Sequence, residues 1–176
     1  GHAITTGSNN TFIGYLAGDA NTTAGGNVAV GHAALGANTT GANNVALGIR
    51  TLDVNTTGGS NTALGADALG ANTTANNNTG IGQSALLACT TGTPNTAVGA
   101  NALDACTTGG NNNALGQSAL TTLTTGSYNN AFGTHALEAA TTQAASNAFG
   151  HRALDVATTG QHNNAFGAEA LGALTT

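Results

Sequence analysis

Glycine returns every 17 residues without one insertion or deletion, at Gly14, Gly31, Gly48, Gly65, Gly82, Gly99, Gly116, Gly133, Gly150 and Gly167. A Thr-Thr pair keeps the same step from Thr5-Thr6 through Thr22-Thr23 to Thr175-Thr176. Counting the glycine as coil position 1, the consensus reads G-x-x-A-L-D/G-A-N-T-T-G-x-x-N-x-A-φ, where φ is Val, Leu, Ile or Phe. A fixed internal period is the mark of a repeat architecture. A unit of 17 residues is too short for a helix pair, and Gly, Thr-Thr and Asn interrupt it with weak helix formers. Short apolar pieces separated by Gly and Asn turns predict two or three short strands per coil instead. Stacked coils place like residues about 4.8 Å apart, so ten coils make a rod of roughly 48 Å. The strict step has a physical reason, since one extra residue would throw every column out of register. The expected fold is therefore all-β, a parallel β-solenoid of ten 17-residue coils forming a single repeat domain over residues 1–176. No capping segment is visible at Gly1 or Thr176, so the chain reads as an internal segment of a longer fibre.

Composition excludes several function classes. Charged residues make up 5% of the 176 positions, against roughly 25% in an average globular chain. A net charge of −5 with only two Arg argues against nucleic acid as a partner. No apolar run is long enough for membrane insertion, and no basic segment followed by an apolar run marks a signal peptide.

The columns sort by chemistry. All nine charged residues occupy two of them: Arg50, Asp67, Arg152 and Glu169 at position 3, and Asp19, Asp53, Asp104, Glu138 and Asp155 at position 6. Burying unpaired charge is costly, so both columns should face solvent. The spacing predicts exposed ion pairs between Arg50 and Asp53 and between Arg152 and Asp155. The Leu column (Leu35 to Leu171) and position 17 (Ile13, Val30, Leu47, Leu64, Ile81, Val98, Leu115, Phe132, Phe149, Phe166) are read as the core. Strand alternation then turns position 16 outward, an Ala row suited to packing against another chain. Position 8 runs from Asn21, Asn38, Asn55 and Asn72 through Cys89 and Cys106 to Leu123, Ala140, Ala157 and Leu174. Position 15 runs the other way, from Val28 and Val45 through Thr62 to Asn164. This opposition predicts that the two columns face one another inside the coil, with Asn amides stacked along the axis; the alternative is independent drift in the two halves of the chain.

Few residues bear reactive chemistry. Cys89 and Cys106 share position 8 on consecutive coils and are read as buried thiols replacing Asn; a disulfide is the alternative, because about 4.8 Å between coils lies at the short end of disulfide geometry. His135 and His151 sit in neighbouring columns of adjacent coils, but nothing completes a metal site, and with His2, His32 and His162 they read as solvated edge residues. The Asn-x-Thr triplets at Asn21, Asn38, Asn55 and Asn72 match glycosylation acceptors, though the Asn-Thr-Thr turn explains them as well. No cofactor-binding motif is present, and the Ser, Thr, Asp and His recur in ladders without a unique nucleophile and base, so the chain is not expected to be an enzyme.

The runs Asn44-Val45-Ala46-Leu47-Gly48 and Asn95-Thr96-Ala97-Val98-Gly99 resemble the Asn-x-Val-Ala-Ile-Gly repeat of YadA-like trimeric autotransporter adhesin heads. The longer unit Thr-Thr-Gly-x-x-Asn-x-Ala-φ-Gly-x-x-Ala-Leu also resembles repeats of bacteriophage tail-fibre proteins, and the likeness covers essentially the whole chain. The adhesin repeats are typically a few residues shorter. The resemblance implies a left-handed β-roll, a homotrimer, and a place outside the cell, on a cell surface or on a virion. The expected role is a structural or adhesive fibre shaft, with a host-surface receptor or glycan as possible partner. Two alternatives stand beside it: an ice-binding solenoid, because Thr columns of eleven members each are present, and a homopolymeric extracellular filament.

Overall fold

The computed structural model describes residues 2–175. They form ten short strands: β1 (Thr11–Ile13), β2 (Val28–Val30), β3 (Val45–Leu47), β4 (Thr62–Leu64), β5 (Thr79–Ile81), β6 (Asn95–Val98), β7 (Asn112–Leu115), β8 (Asn130–Phe132), β9 (Asn147–Phe149) and β10 (Asn164–Phe166). The strands make one parallel sheet in sequence order, and every residue pairs with the one 17 positions on, as in Val28 with Val45 and Val45 with Thr62. No helix occurs among the described residues. The stacked solenoid is thus present, with one strand per coil where two or three were expected.

The reason lies in the backbone of the remaining walls. Positions 3 and 5 adopt left-handed conformations in coil after coil, as at Arg50 (φ 52°), Leu52 (φ 49°), His135 (φ 59°) and Leu137 (φ 52°). Such residues end an extended segment and cost about 1–2 kcal/mol each. Inter-coil hydrogen bonding offsets that cost. Alternating turns aim successive N–H groups at opposite neighbours, so that Arg50 N donates to His32 O of the previous coil and Leu52 N to Ala68 O of the next. Every wall is therefore bonded from coil to coil, although only one is a strand.

The core corrects the expected sidedness of the strand. The position 16 alanines Ala29, Ala46, Ala63 and Ala97 are fully buried, whereas position 17 faces outward, with Leu64 43% and Leu115 45% exposed. The Leu column (Leu35, Leu52, Leu69 and onward) fills the interior from the opposite wall, beside the buried position 8 and position 14 side chains, and leaves only Ala-sized space under the strand. At Gly80 a Cβ would lie 3.1 Å from Ala85 O and in van der Waals contact with Leu69 Cγ at 3.4 Å, so a methyl group is about the largest side chain this column admits. Positions 8 and 15 do not face one another either. Position 8 is buried (Asn55, Cys89, Leu123), while position 15 lies beside position 17 on the outer face. Their opposite drift is independent stacking of like on like, one column inside the coil and the other on its outer face.

One irregularity proves the packing rule. At the start of the stack Gly18 stands in the Leu column of the coil that begins at Gly14, and Phe12, just before that coil, stands in the Ala column. A Cβ on Gly18 would meet the Phe12 ring at 2.5 Å, so the large group enters from the other side and fills the same space. Phe12→Ala is expected to destabilise the first coils by about 2–3 kcal/mol through the void, and Gly18→Leu by a similar amount through overpacking. The double variant restores the usual pair and should recover most of the loss, a coupling on the order of 2 kcal/mol. Denaturant unfolding together with amide exchange in the first two coils measures this; additive effects would contradict it.

Candidate functional surface

Each residue type recurs at a fixed place in the coil, so chemistry is laid out in columns, and a localised site would be a place where columns meet. Among the charged columns, Arg50 Nε and Nη2 donate to Asp67 Oδ1 and Oδ2 at 2.7 and 3.0 Å. Arg50 thus bridges to Asp67, the position 3 residue of the next coil, rather than pairing with Asp53. Its hydrogen bond holds the Asp67 carboxyl below the usual range. Arg152 Nε donates to Asp155 Oδ2 at 2.7 Å, as the spacing predicted. Asp155 itself is 7% exposed, an exception to the solvent-facing reading of its column, tolerated because the guanidinium covers it. The exposed Arg50–Asp67 pair adds little to stability.

His135 and His151 line a shallow depression with Glu138 and Arg152. His135 Nδ1 lies 3.1 Å from Glu138 Oε1, close enough for an ion pair but without hydrogen-bond alignment. His2 Nδ1 lies 3.3 Å from Asp19 Oδ1, and His32 stacks on Tyr15 with ring centres 5.6 Å apart. His162 is exposed. Among the described residues, no group of three or more His, Cys, Asp or Glu is placed to hold a metal ion.

Cys89 and Cys106 are both free and fully buried. Each thiol donates to a carbonyl three residues on, Gly92 O at 3.3 Å and Gly109 O at 3.5 Å. Burial pushes the Cys89 thiol up to about 12 and Cys106 to about 11, so both stay protonated and inert as nucleophiles near neutral pH. They continue an interior column whose earlier members form an amide ladder: Asn38, Asn55 and Asn72 Nδ2 donate to the Oδ1 of the preceding Asn at 2.9, 2.9 and 2.7 Å. Those amides are sealed in the core, so the Asn-x-Thr triplets are turn elements and not accessible acceptors in the folded chain.

A second buried Asn column, at position 14, plays a larger part than its place in the consensus conveyed. Asn27 Oδ1 accepts from Asn44 N at 2.8 Å while its Nδ2 donates to Gly41 O at 2.9 Å, both in the next coil. The motif repeats at Asn44, Asn61, Asn78, Asn95, Asn112 and Asn129. The signal for it was the bare recurrence of Asn just before each strand.

Two surfaces remain available to a partner. The position 10 threonines form an exposed ladder, as at Thr40, Thr57 and Thr74. The position 9 threonines are half-buried, and their hydroxyls donate along the axis, as from Thr39 Oγ1 to Thr56 O at 3.0 Å. The outer face of the sheet carries positions 15 and 17, an aliphatic column that becomes aromatic at Phe132, Phe149 and Phe166, whose rings stack at 4.8 and 5.0 Å with planes within 5°.

The class defined by this fold is the parallel β-solenoid of tandem repeats. No family model, curated protein or solved structure matches the chain.

Proposed function

We propose that this chain is a shaft segment of a trimeric structural or adhesive fibre, working outside the cell on a virion or cell surface and without catalytic activity. The observation that carries the reading is that the Asn amides of positions 8 and 14 and the Thr hydroxyls of position 9 form axial ladders tying one coil to the next. Backbone bonds, the position 14 amides and the position 9 hydroxyls all act in the same direction, along the rod. Such an arrangement gives length and stiffness. Repetition along the rod also lets weak contacts with a host-surface glycan or receptor add up. Engagement of the position 9 hydroxyls with backbone carbonyls favours the fibre over an ice-binding role, since one Thr ladder per coil is left facing water.

Light scattering with sedimentation velocity tests the proposal. An elongated trimer at micromolar concentration is the expected result, with no thermal hysteresis. A stable folded monomer, or a clear freezing-point gap, would overturn it.

A further inference from the structure

We infer that copies of this chain pack through the outer face of the β1–β10 sheet, side by side, parallel and in axial register; the inference rests on the fibre reading and specifies the contact. Its occupant is a second copy of the same chain.

The face has the chemistry of a covered surface. No Asp, Glu, Lys or Arg occurs at positions 10 through 17, so like columns can approach without charge repulsion. The charged columns, at positions 3 and 6, would repel their own copies in such an approach. Large apolar groups are partly exposed on this side: in the middle of the position 17 column Leu64 is 43% and Leu115 45% exposed. Tyr15 and Ile49 at position 2 and Tyr128 at position 13, which flank the strands in sequence, are exposed as well. From β1 to β10 the face runs roughly 43 Å. The three-residue strands add about 10 Å of width. The product, on the order of 400 Å², is the size of the largest bare patch of a typical monomer and about half of what one partner buries in a standard interface.

The face also varies along its length, and this fixes polarity. Position 15 passes from Val28 and Val45 through Thr62, Thr79 and Thr96 to Asn113, Asn130, Asn147 and Asn164. The Asn amides use one N–H each for the ladder, from Asn113 to Asn130 at 2.8 Å and from Asn130 to Asn147 at 2.7 Å. An amide has two N–H donors, so the second is free for a lateral bond to another copy. Parallel copies in register set amide against amide and Phe against Phe. Antiparallel copies would bury those amides against Val28 and Val45, leaving donors without acceptors.

The test uses the intact chain in three forms. Leu64→Glu/Ile81→Glu/Val98→Glu places three charges on the face. Thr57→Glu/Thr74→Glu/Thr91→Glu places an equal ladder on the exposed position 10 column and controls for self-repulsion. Leu64→Asn/Ile81→Asn/Val98→Asn is the uncharged version, and the native outward Asn ladder shows that this sheet accepts it. Both face variants should raise the dissociation concentration roughly 100-fold or more, with the strand circular dichroism kept in the Asn version, while the position 10 variant assembles as before. If the unmodified chain is monomeric, the fibre reading itself fails. If it assembles and the folded Asn variant assembles equally well, this inference alone fails. Spin labels at Thr40→Cys and at Thr142→Cys read polarity: parallel copies give similar short distances at both ends, whereas antiparallel copies separate like labels by roughly 30 Å along the rod and would overturn the arrangement.

Discussion

Gly82→Ala is expected to destroy cooperative folding of the central coils, with a loss exceeding about 4 kcal/mol. Two costs combine there. Gly82 has φ +130°, a region closed to residues with a Cβ, and a Cβ would lie 2.5 Å from Gly99 O and 2.6 Å from Gly99 C. The second contact is with backbone that is itself fixed by the next coil, so nothing can yield without shifting the stack. Gly167 separates the two costs. Its φ is +129°, but a Cβ there would meet nothing nearer than Ala170 Cβ at 3.9 Å. Gly167→Ala therefore carries the torsional cost alone, about 1–3 kcal/mol. Chemical denaturation of the two variants should differ clearly; equal losses would show that close coil stacking is not what requires glycine in this column.

The buried Asn column supplies the second large effect. Asn112 Oδ1 accepts from Asn129 N at 3.0 Å, and its Nδ2 donates to Gly126 O at 2.9 Å. Leu123, at position 8 of that coil, offers no alternative donor to the Gly126 carbonyl. Asn112→Ala thus strands a buried N–H and a buried C=O and leaves a void, a loss of about 3–5 kcal/mol. Asn61→Ala should cost less, about 2–3 kcal/mol, because the carbonyl it leaves, Ala75 O, is still bonded by Asn72 Nδ2 at 3.2 Å. Asn112→Ser should recover part of the loss, since Ser146 Oγ already serves as the acceptor for Asn163 N at 3.2 Å in this column. Equilibrium unfolding ranks the three variants. Asn112→Ala is expected to be the least stable, with Asn112→Ser and Asn61→Ala both milder.

These two columns mark the limits of what the sequence disclosed. The glycine step, taken with the short apolar pieces between Gly and Asn turns, pointed to stacking, parallel pairing and register, because superposed coils tolerate no insertion in their period. The position 8 amide ladder was legible as well, since Asn21, Asn38, Asn55 and Asn72 must satisfy their amides along the axis once buried. Sidedness of the strand was not. Alternation separates two faces but does not say which is inner, and bulk at position 17 was a false guide, because the Leu column had already filled the coil. Apolar residues on a surface break no rule by themselves. The left-handed turns at Leu35 and Leu52 were equally hidden, since leucine is an uncommon choice there; Gly18, with φ 55° in the same column, was the one hint. Of the candidate surface, the charged columns could be placed from composition alone. The bare apolar face could not, because it follows from the inverted strand.

The coil-to-coil bonds share one orientation, and that gives the rod a directional strength. A force that stretches the rod along its length is resisted by every ladder of a coil boundary together: strand amides, Asn27-type side chains and Thr39-type hydroxyls. A force that lifts one end sideways meets those same links one after another. Such a rod would withstand tension far better than peeling, and whatever clasps its ends or flanks would decide how long it lasts under load.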